Sequence, residues 1–237
     1  ITARAVVVAT GARAARPGFL PWDSPRLMTT DEAVTAVDLP ASVIVMGGGV
    51  IGCEMATAYS ELGIPVTLIE MLPALLPNLD DEAAAVVAAS LAQRGVKVIT
   101  GKKVLGMTDA GDELEVKIED GGELHAAAAL VAVGRKPNIE DIGLEAVGVR
   151  VEDGVIPVDD RCRTNVEGVY AVGDVAEGRQ YAHLADRMGV VAGENIMGFR
   201  LADDRTVVPV GAYTHPEAAS VGLTFAQAKL EHPQARE

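Results

Sequence analysis

One run of sequence leaves this chain few ways to fold. It reads Ser42-Val-Ile-Val-Met-Gly47-Gly48-Gly49-Val50-Ile51-Gly52-Cys53-Glu54 and is followed by Val66-Thr-Leu-Ile-Glu70. An apolar strand enters G-x-G-x-x-G, a helix leaves it, and a second apolar strand ends in a carboxylate. That order is a βαβ unit, whose two strands lie parallel and whose helix covers one face of the sheet. Strands buried on both faces read as continuous aliphatic runs, and the composition agrees: 49% of the residues are hydrophobic but only 3% aromatic.

Around this unit the pattern predicts a strand over Arg4–Ala9, ending at Thr10-Gly11, and then a Pro-punctuated, irregular stretch with a short helix start at Thr30-Asp31-Glu32. The βαβ unit itself is Ser42–Met46, Val50–Leu62 and Val66–Ile69, with Gly63 closing the helix. A helix from about Asp80 to Gln93 carries three acids in its first turn and stops at Gly95. Strand Val96–Thr100 follows. Three shorter strands near Val104–Thr108, Glu113–Glu119 and Glu123–Ala127, with a hairpin turn at Asp120-Gly121-Gly122, form an antiparallel insert before Ala128–Val133 returns to the parallel type. Strands are expected at Val155–Val158 and Val169–Val172, a helix at Ala182–Met197, and a new pattern from Val207. The fold class expected is α/β, a Rossmann-like domain with an antiparallel three-stranded insert set within a second, partial Rossmann-like domain, plus the start of an α+β domain.

Each glycine of the motif has its own physical task. Gly47 permits the tight turn out of the strand, Gly49 lets backbone approach a pyrophosphate, and Gly52 lets helix pack closely on strand. Free N–H groups at the helix start attract the phosphate charge. A bare G-x-G-x-x-G also fits an ordinary βα turn; the flanking strand, helix and acidic strand end make the dinucleotide reading specific. Glu70 is placed to accept a hydrogen bond from a ribose 2′-hydroxyl, and it would repel a 2′-phosphate. Met71 and Leu72 follow, with no Arg or Lys to receive one, so NAD is expected over NADP. The plainer alternative is an exposed strand-end Glu. Glu54, early in the helix, also reads as a carboxylate complementing the helix dipole.

A second signature, Val169-Tyr170-Ala171-Val172-Gly173-Asp174, ends a buried-type strand and is backed by Val8-Ala9-Thr10-Gly11. Ligands of open α/β sheets gather at that strand end, and an acceptor there suits a sugar or ribityl hydroxyl. Gln180-Tyr181-Ala182-His183 then opens a helix. Two such signatures suggest an enzyme that relays electrons between two bound cofactors.

Other chemistries are disfavoured. His125, His183, His215 and His232 lack metal-ligand spacing, and no metal site is expected. His125 is expected on a solvated hairpin strand and His215 at a strand edge. No Ser-His-Asp arrangement is evident. Cys53 reads as a small packed hydrophobe. Cys162 lies between two arginines that would lower a thiol pKa, or is inert in the interior. Two distant cysteines fit a reducing compartment, the cytoplasm. A formal charge of −14 disfavours nucleic acid and anionic membrane surfaces, and no apolar run is long enough to span a bilayer. The opening Ile-Thr-Ala-Arg-Ala, without a Met, reads as part of a longer polypeptide.

The collinear pieces Ala9-Thr10-Gly11, Gly47–Glu54, Glu70, Gly134-Arg-Lys-Pro-Asn138, Thr164–Asp174, Ala182-His183 and Tyr213-Thr-His-Pro-Glu217 with Val221-Gly222 together resemble the pyridine nucleotide-disulfide oxidoreductases, flavoproteins that bind two dinucleotides. Within that family Gly49–Glu54, Ile69–Leu72 and Leu76-Pro77 are most similar to the members that oxidise dihydrolipoamide with NAD. A soluble transhydrogenase, a mercuric or glutathione reductase-like member, and a nucleotide-binding module without catalysis stay open as alternatives; Glu70 without a nearby Arg weighs against the glutathione branch.

The resemblance implies roles by position. Gly47, Gly48, Gly49, Val50, Ile51, Gly52, Cys53 and Glu54 would line the NAD path, Glu70 would hold its ribose, and Val104 and Gly134 would border the adenine. Thr10, Gly11, Ala12, Gly173 and Asp174 would hold FAD, with Gln180, Tyr181, Ala182 and His183 at the isoalloxazine edge. It also implies domains: 1–38 with 134–205 as part of an FAD domain, 39–133 as an NAD domain expected to fold by itself, and 206–237 as the start of a dimerisation domain. Family members work as homodimers on a small-molecule or lipoyl-domain disulfide, some within 2-oxo acid dehydrogenase complexes. Three family features are absent from these 237 residues: the N-terminal G-x-G-x-x-G, the C-x4-C redox pair and the C-terminal His-Glu base. No catalytic residue is therefore assigned, and the chain by itself is not expected to run the disulfide cycle.

Overall fold

The computed structural model describes residues 2–236. In chain order the elements are β1 (Val6–Val8), β2 (Ala12–Ala14), β3 (Leu27–Met28), α1 (Thr30–Ala33), β4 (Val43–Met46), α2 (Val50–Glu61), β5 (Val66–Ile69), α3 (Asp81–Gln93), β6 (Lys97–Ile99), β7 (Val104–Asp109), β8 (Leu114–Ile118), β9 (Glu123–Ala126), β10 (Ala128–Val131), β11 (Arg135–Pro137), β12 (Val169–Ala171), α4 (Ala182–Ile196), β13 (Val210–Ala212), β14 (Ala218–Ser220) and α5 (Phe225–Glu231). The chain divides into two compact units, and each is built from two stretches of sequence. One holds the residues up to Arg13 and Arg135–Val208; the other holds Ala14–Gly134 and Pro209 onward.

The larger unit is built on a five-stranded sheet in the order β3-β10-β4-β5-β6, parallel at every pairing. Its central strand, β4, has no polar residue to present: Val43, Ile44 and Val45 are at most 1% exposed. A three-stranded antiparallel sheet, β7-β8-β9, is the insert expected from the sequence. Its inward residues Leu114 and Val116 join Ile44, Ile69, Ala129 and Val131 in one core. Helix α2 ends in a Schellman closure at Gly63 (φ +78°), where Gly63 N–H bonds Ser60 O and Ile64 N–H bonds Tyr59 O. The turn at Asp120-Gly121 takes positive φ at both residues, and α1 carries a capping box from Thr29 to Glu32.

The strand pair β13–β14 and helix α5 pack in this same unit. Three backbone amides or carbonyls of that segment are held by side chains of α2, α3 and the α3 N-cap. Tyr213 N–H donates to Glu54 Oε1 at 2.8 Å, Phe225 N–H donates to Asp80 Oδ1 at 2.5 Å, and Ser90 Oγ donates to His215 O at 2.6 Å. Glu54 therefore serves a neighbouring strand rather than the helix N-terminus. His215 stands in the bend between β13 and β14, joined to Pro216 by a cis peptide bond, and not at a strand edge as expected.

The smaller unit centres on the parallel pair β1–β12 and helix α4. Ile156, Cys162, Ala171, Val175, Met188 and Val191 are its fully buried members. Val155–Val158 is not the expected strand. Pro157 cannot donate to a ladder, and the stretch keeps only an isolated bridge from Val155 and an Ile156 N–H bond to Val175 O at 2.9 Å. Strands β2, β3, β11 and β14 have no counterpart among the strands that the sequence predicts.

Candidate dinucleotide sites

The glycine turn of the larger unit follows β4 and opens α2. Gly47 sits at φ +110°, and a Cβ there would lie 2.4 Å from Ala132 O. A Cβ on Gly52 would lie 1.8 Å from Gly47 O, so the helix meets its own turn at van der Waals distance. At Gly49, the N-cap of α2, an added Cβ meets nothing within 4 Å. Two glycines are thus demanded by the protein's own packing, while the third faces open space. No side chain caps α2, so its leading N–H groups keep their capacity to bind an anion.

Gly48 is enclosed on every side. Its N–H donates to Glu70 Oε2 at 2.6 Å; its carbonyl accepts Leu76 N–H at 2.8 Å and the Cys53 thiol at 3.3 Å. A Cβ there would meet Leu75 at 2.5 Å and Glu70 Cβ at 2.9 Å. Glu70 itself is only 7% exposed, which excludes the exposed strand-end alternative. Its other oxygen accepts Leu72 N–H at 2.7 Å. The carboxylate is thus fixed by two charge-assisted bonds, and each oxygen retains a lone pair. Cys53 is fully buried, and burial first, then the charges of Glu70 and Glu54, pushes its thiol up to about 12. Val50 and Ile51 open the helix beside these residues. Gly134 follows β10 at φ +120° with open space around it, whereas Val104 is buried in the core among Ile69 and Met107.

In the smaller unit the Thr10-Gly11-Ala12 turn is latched onto Arg135–Asn138. Thr10 Oγ1 donates to Asn138 O at 2.7 Å, Asn138 Nδ2 returns to Thr10 O at 2.9 Å, and Asn138 N–H bonds Gly11 O at 2.8 Å. Arg135 donates to Ala12 O at 2.5 Å. Asn138 also orients Arg13, which grips Glu140 in a fork at 2.9 and 3.0 Å. The Arg13 and Lys136 bonds hold the Glu140 carboxyl far below the usual carboxylate range. Asn138 and Arg13 carried no assigned role in the sequence; the quoted motif Gly134–Asn138 was the available signal.

At the far end of β12, Gly173 turns at φ +71° and Asp174 follows, half-buried, with no hydrogen bond or ion pair among the described residues. Gln180 adopts φ +55°, Tyr181 is the N-cap of α4 with no side-chain cap, and the Tyr181 and His183 rings stack at 5.5 Å and 10°. Cys162 is fully buried, and burial pushes its thiol up to about 11, outweighing Arg205. The flanking arginines do not activate it: Arg163 is engaged by Asp159. No group of His, Cys, Asp or Glu among the described residues is placed to hold a metal ion.

Known proteins share this arrangement. Residues 1–189 match the family model for pyridine nucleotide-disulphide oxidoreductases. The dihydrolipoyl dehydrogenase of Bacillus subtilis is 41% identical over 230 residues, 94% of this chain and 48% of that protein. That of Rhizobium etli is 40% identical over 235 residues, 96% of this chain and 49% of that protein. The crystal structure of LpdA from Mycobacterium tuberculosis superposes with a TM-score of 0.89 at 33% identity, over 96% of this chain and 50% of that one. The flavoprotein disulfide reductase RclA from Escherichia coli gives a TM-score of 0.89 at 26% identity, over 95% of this chain and 53% of that one. The chain spans about half the length of the curated relatives it matches. With a family model covering most of its length and a fold shared closely with solved members, the chain belongs to the pyridine nucleotide-disulphide oxidoreductase family.

Proposed function

We propose that this chain is the NAD-binding and part of the FAD-binding portion of a dihydrolipoyl dehydrogenase. The observation that carries the NAD half is the Gly47–Glu70 corner. Open space at Gly49, an uncapped helix start and a fixed carboxylate at Glu70 fit a pyrophosphate and an adenosine ribose. Val50, Ile51, Gly52, Cys53 and Glu54 continue along that path, with Gly134 and Val104 toward the adenine. The FAD half rests on Asp174, a half-buried acceptor with no protein partner among the described residues, beside Gly173 and the N-terminus of α4, which has no side-chain cap. Thr10, Gly11 and Ala12 form the second flavin contact, and Gln180, Tyr181, Ala182 and His183 its edge. A flavin bound there would carry electrons from a dithiol to NAD. The residues of this chain bind and orient; the redox cysteine pair and the His-Glu base are not among them.

The same reading assigns residues 39–133 to an NAD domain, 1–38 with 134–205 to an FAD domain and 206–237 to a dimerisation domain. Tyr213, Val221 and Leu230, 78%, 59% and 84% exposed, support a homodimer through that last segment. A lipoyl-domain disulfide and a 2-oxo acid dehydrogenase complex are the matching partners. Two buried, unpaired cysteines support a reducing location, the cytoplasm, and no helix among the described residues is long and apolar enough to cross a membrane.

Calorimetric titration of the chain with NAD and NADP tests the reading. NAD is expected to bind at least about tenfold more tightly, the step that one unfavourable contact of about 1.4 kcal/mol produces. Equal affinities would overturn the assignment of Glu70.

A further inference from the structure

Asp203 is a carboxylate with a side chain only 2% exposed, set between two guanidinium groups. Arg187 Nε, from α4, lies 3.2 Å from Oδ1, and Arg205 Nε lies 3.3 Å from Oδ2. The Asp203 N–H donates to Asp160 O at 2.7 Å, and Arg205 donates through Nη2 to Asp159 O. Arg205 also faces Glu177 Oε2 at 4.0 Å. Glu177 is in turn held by Arg179, Nε and Nη2 each 3.2 Å from a carboxylate oxygen, and Arg179 Nη1 donates back to Arg205 O at 2.8 Å. Burial raises the Glu177 carboxyl, and the bonds from Arg179 bring it below its ordinary value.

These contacts cross-tie two loops and a helix. The loop Ala176–Tyr181 runs from the Gly173-Asp174 corner to the start of α4, and it contains Gln180 at φ +55°. A non-glycine residue in the left-handed region costs on the order of 1 kcal/mol and persists where its surroundings fix it. No hydrophobic side chain between Glu177 and Gln180 supplies that support. Ala176 and Tyr181 pack the two ends of the loop against the core, and between them the charged chain Asp203–Arg205–Glu177–Arg179 makes the side-chain contacts. Asp203 is the buried member of the chain, and separating its carboxylate from the guanidinium groups would leave a buried charge uncompensated; Arg205, Glu177 and Arg179 are partly exposed.

We propose that Asp203, Arg205 and Glu177 form a positioning relay that sets the Glu177–Tyr181 turn and, through it, the flavin edge of the site. The inference rests on the flavin reading of Asp174 and Gln180–His183. None of the three residues is among those placed against the flavin; each acts through the turn.

The test uses the whole protein of which these residues are proposed to be part, freed of its flavin, with Asp203→Asn, Glu177→Gln and the double substitution. Glu177→Gln leaves the core untouched and serves if Asp203→Asn does not fold. Two readouts are taken: amide hydrogen exchange across residues 177–196 without ligand, and the affinity and visible-band fine structure of added FAD, titrated to high concentration. Exchange at 180–184 is expected to rise about tenfold while 188–195 stay unchanged. FAD affinity is expected to fall about tenfold with a changed spectrum, and the double variant to match the stronger single one. Exchange that is unmoved, or that rises equally along all of α4, overturns the inference. So does FAD uptake by the variants equal to that of the unaltered protein. Failure of the unaltered protein to take up FAD overturns the flavin reading, and the inference with it.

Discussion

The carboxylate of Glu70 and the backbone of Gly48 hold one another: Oε2 accepts Gly48 N–H at 2.6 Å, and Glu70 Cβ fills the space a side chain at position 48 would need. The strand-end acid is therefore part of the glycine turn before any nucleotide arrives. Removing it in Glu70→Ala leaves the buried Gly48 N–H and the part-buried Leu72 N–H without partners. At about 1–3 kcal/mol for each orphaned donor, the variant should lose roughly 2–4 kcal/mol of stability. Urea unfolding measures this, and a loss below about 1 kcal/mol would show that the turn holds itself.

The three motif glycines separate into packing and access. Gly52→Ala drives a methyl group against Gly47 O, placed 1.8 Å away, and should cost more than about 3 kcal/mol or prevent folding of the larger unit. Gly49→Ala meets no atom, at an ordinary φ of −72°, and should cost about 1 kcal/mol or less. Yet it places the methyl where the pyrophosphate is proposed to lie. Thermal unfolding and NAD titration of the two variants should therefore diverge: Gly49→Ala folds and binds NAD at least tenfold more weakly. A Gly49→Ala chain with unaltered NAD affinity would remove the pyrophosphate from that position.

Both thiols are raised above their ordinary value of 9, Cys53 to about 12 and Cys162 to about 11. Above pH 9 the unfolded chain releases thiol protons that the folded chain retains. The stabilising term is therefore complete below pH 9 and declines as pH rises toward the folded values. The slope is about 1.4 kcal/mol per pH unit for each thiol. Unfolding midpoints followed from pH 8 to 11 should fall more steeply for the natural chain than for Cys53→Ala/Cys162→Ala. In the native state at pH 8 neither thiol should react with a disulfide reagent, and both should react in denaturant.

Asn138 and Arg13 each tie three residues, but they differ in whether charge does the holding. The Arg13–Glu140 fork is about 40–45% exposed on both sides, so Arg13→Ala should cost little stability and lose that effect in high salt. Asn138→Ala removes the side-chain bond to Thr10 O and the orientation of Arg13, and should cost about 1–2 kcal/mol independent of salt. Equal salt dependence of the two would mean that the latch works through charge.

Long-period features were legible in the sequence. The parallel strands, the insert hairpin and the closures of α2 and α3 each rest on local chemistry: aliphatic runs, a turn with positive φ, a glycine past a helix end. Strands β2 and β11 were not legible, because the ladder joining Ala12–Ala14 to Arg135–Pro137 is specified by residues more than a hundred positions apart. Val155–Val158 has strand-forming residues, and Pro157 removes the donor a ladder needs. The arginines beside Cys162 are of a kind that can lower a thiol pKa, but the inert interior reading of that residue is the one its burial bears out. The role of Asp203 was silent for a related reason: Asp203-Asp204-Arg205 reads as a solvated charge run, and only its 2% exposure separates it from one.

The bonds from Glu54, Ser90 and Asp80 to Tyr213, His215 and Phe225 have a consequence for biosynthesis. The larger unit receives its last strand pair and helix only after Arg135–Val208, roughly seventy residues of the other unit, have been made. At about 5–20 residues per second, that is an interval of roughly 4–15 seconds. Throughout it, the surfaces of α2 and α3 that β13 and β14 will cover stand bare on the nascent chain.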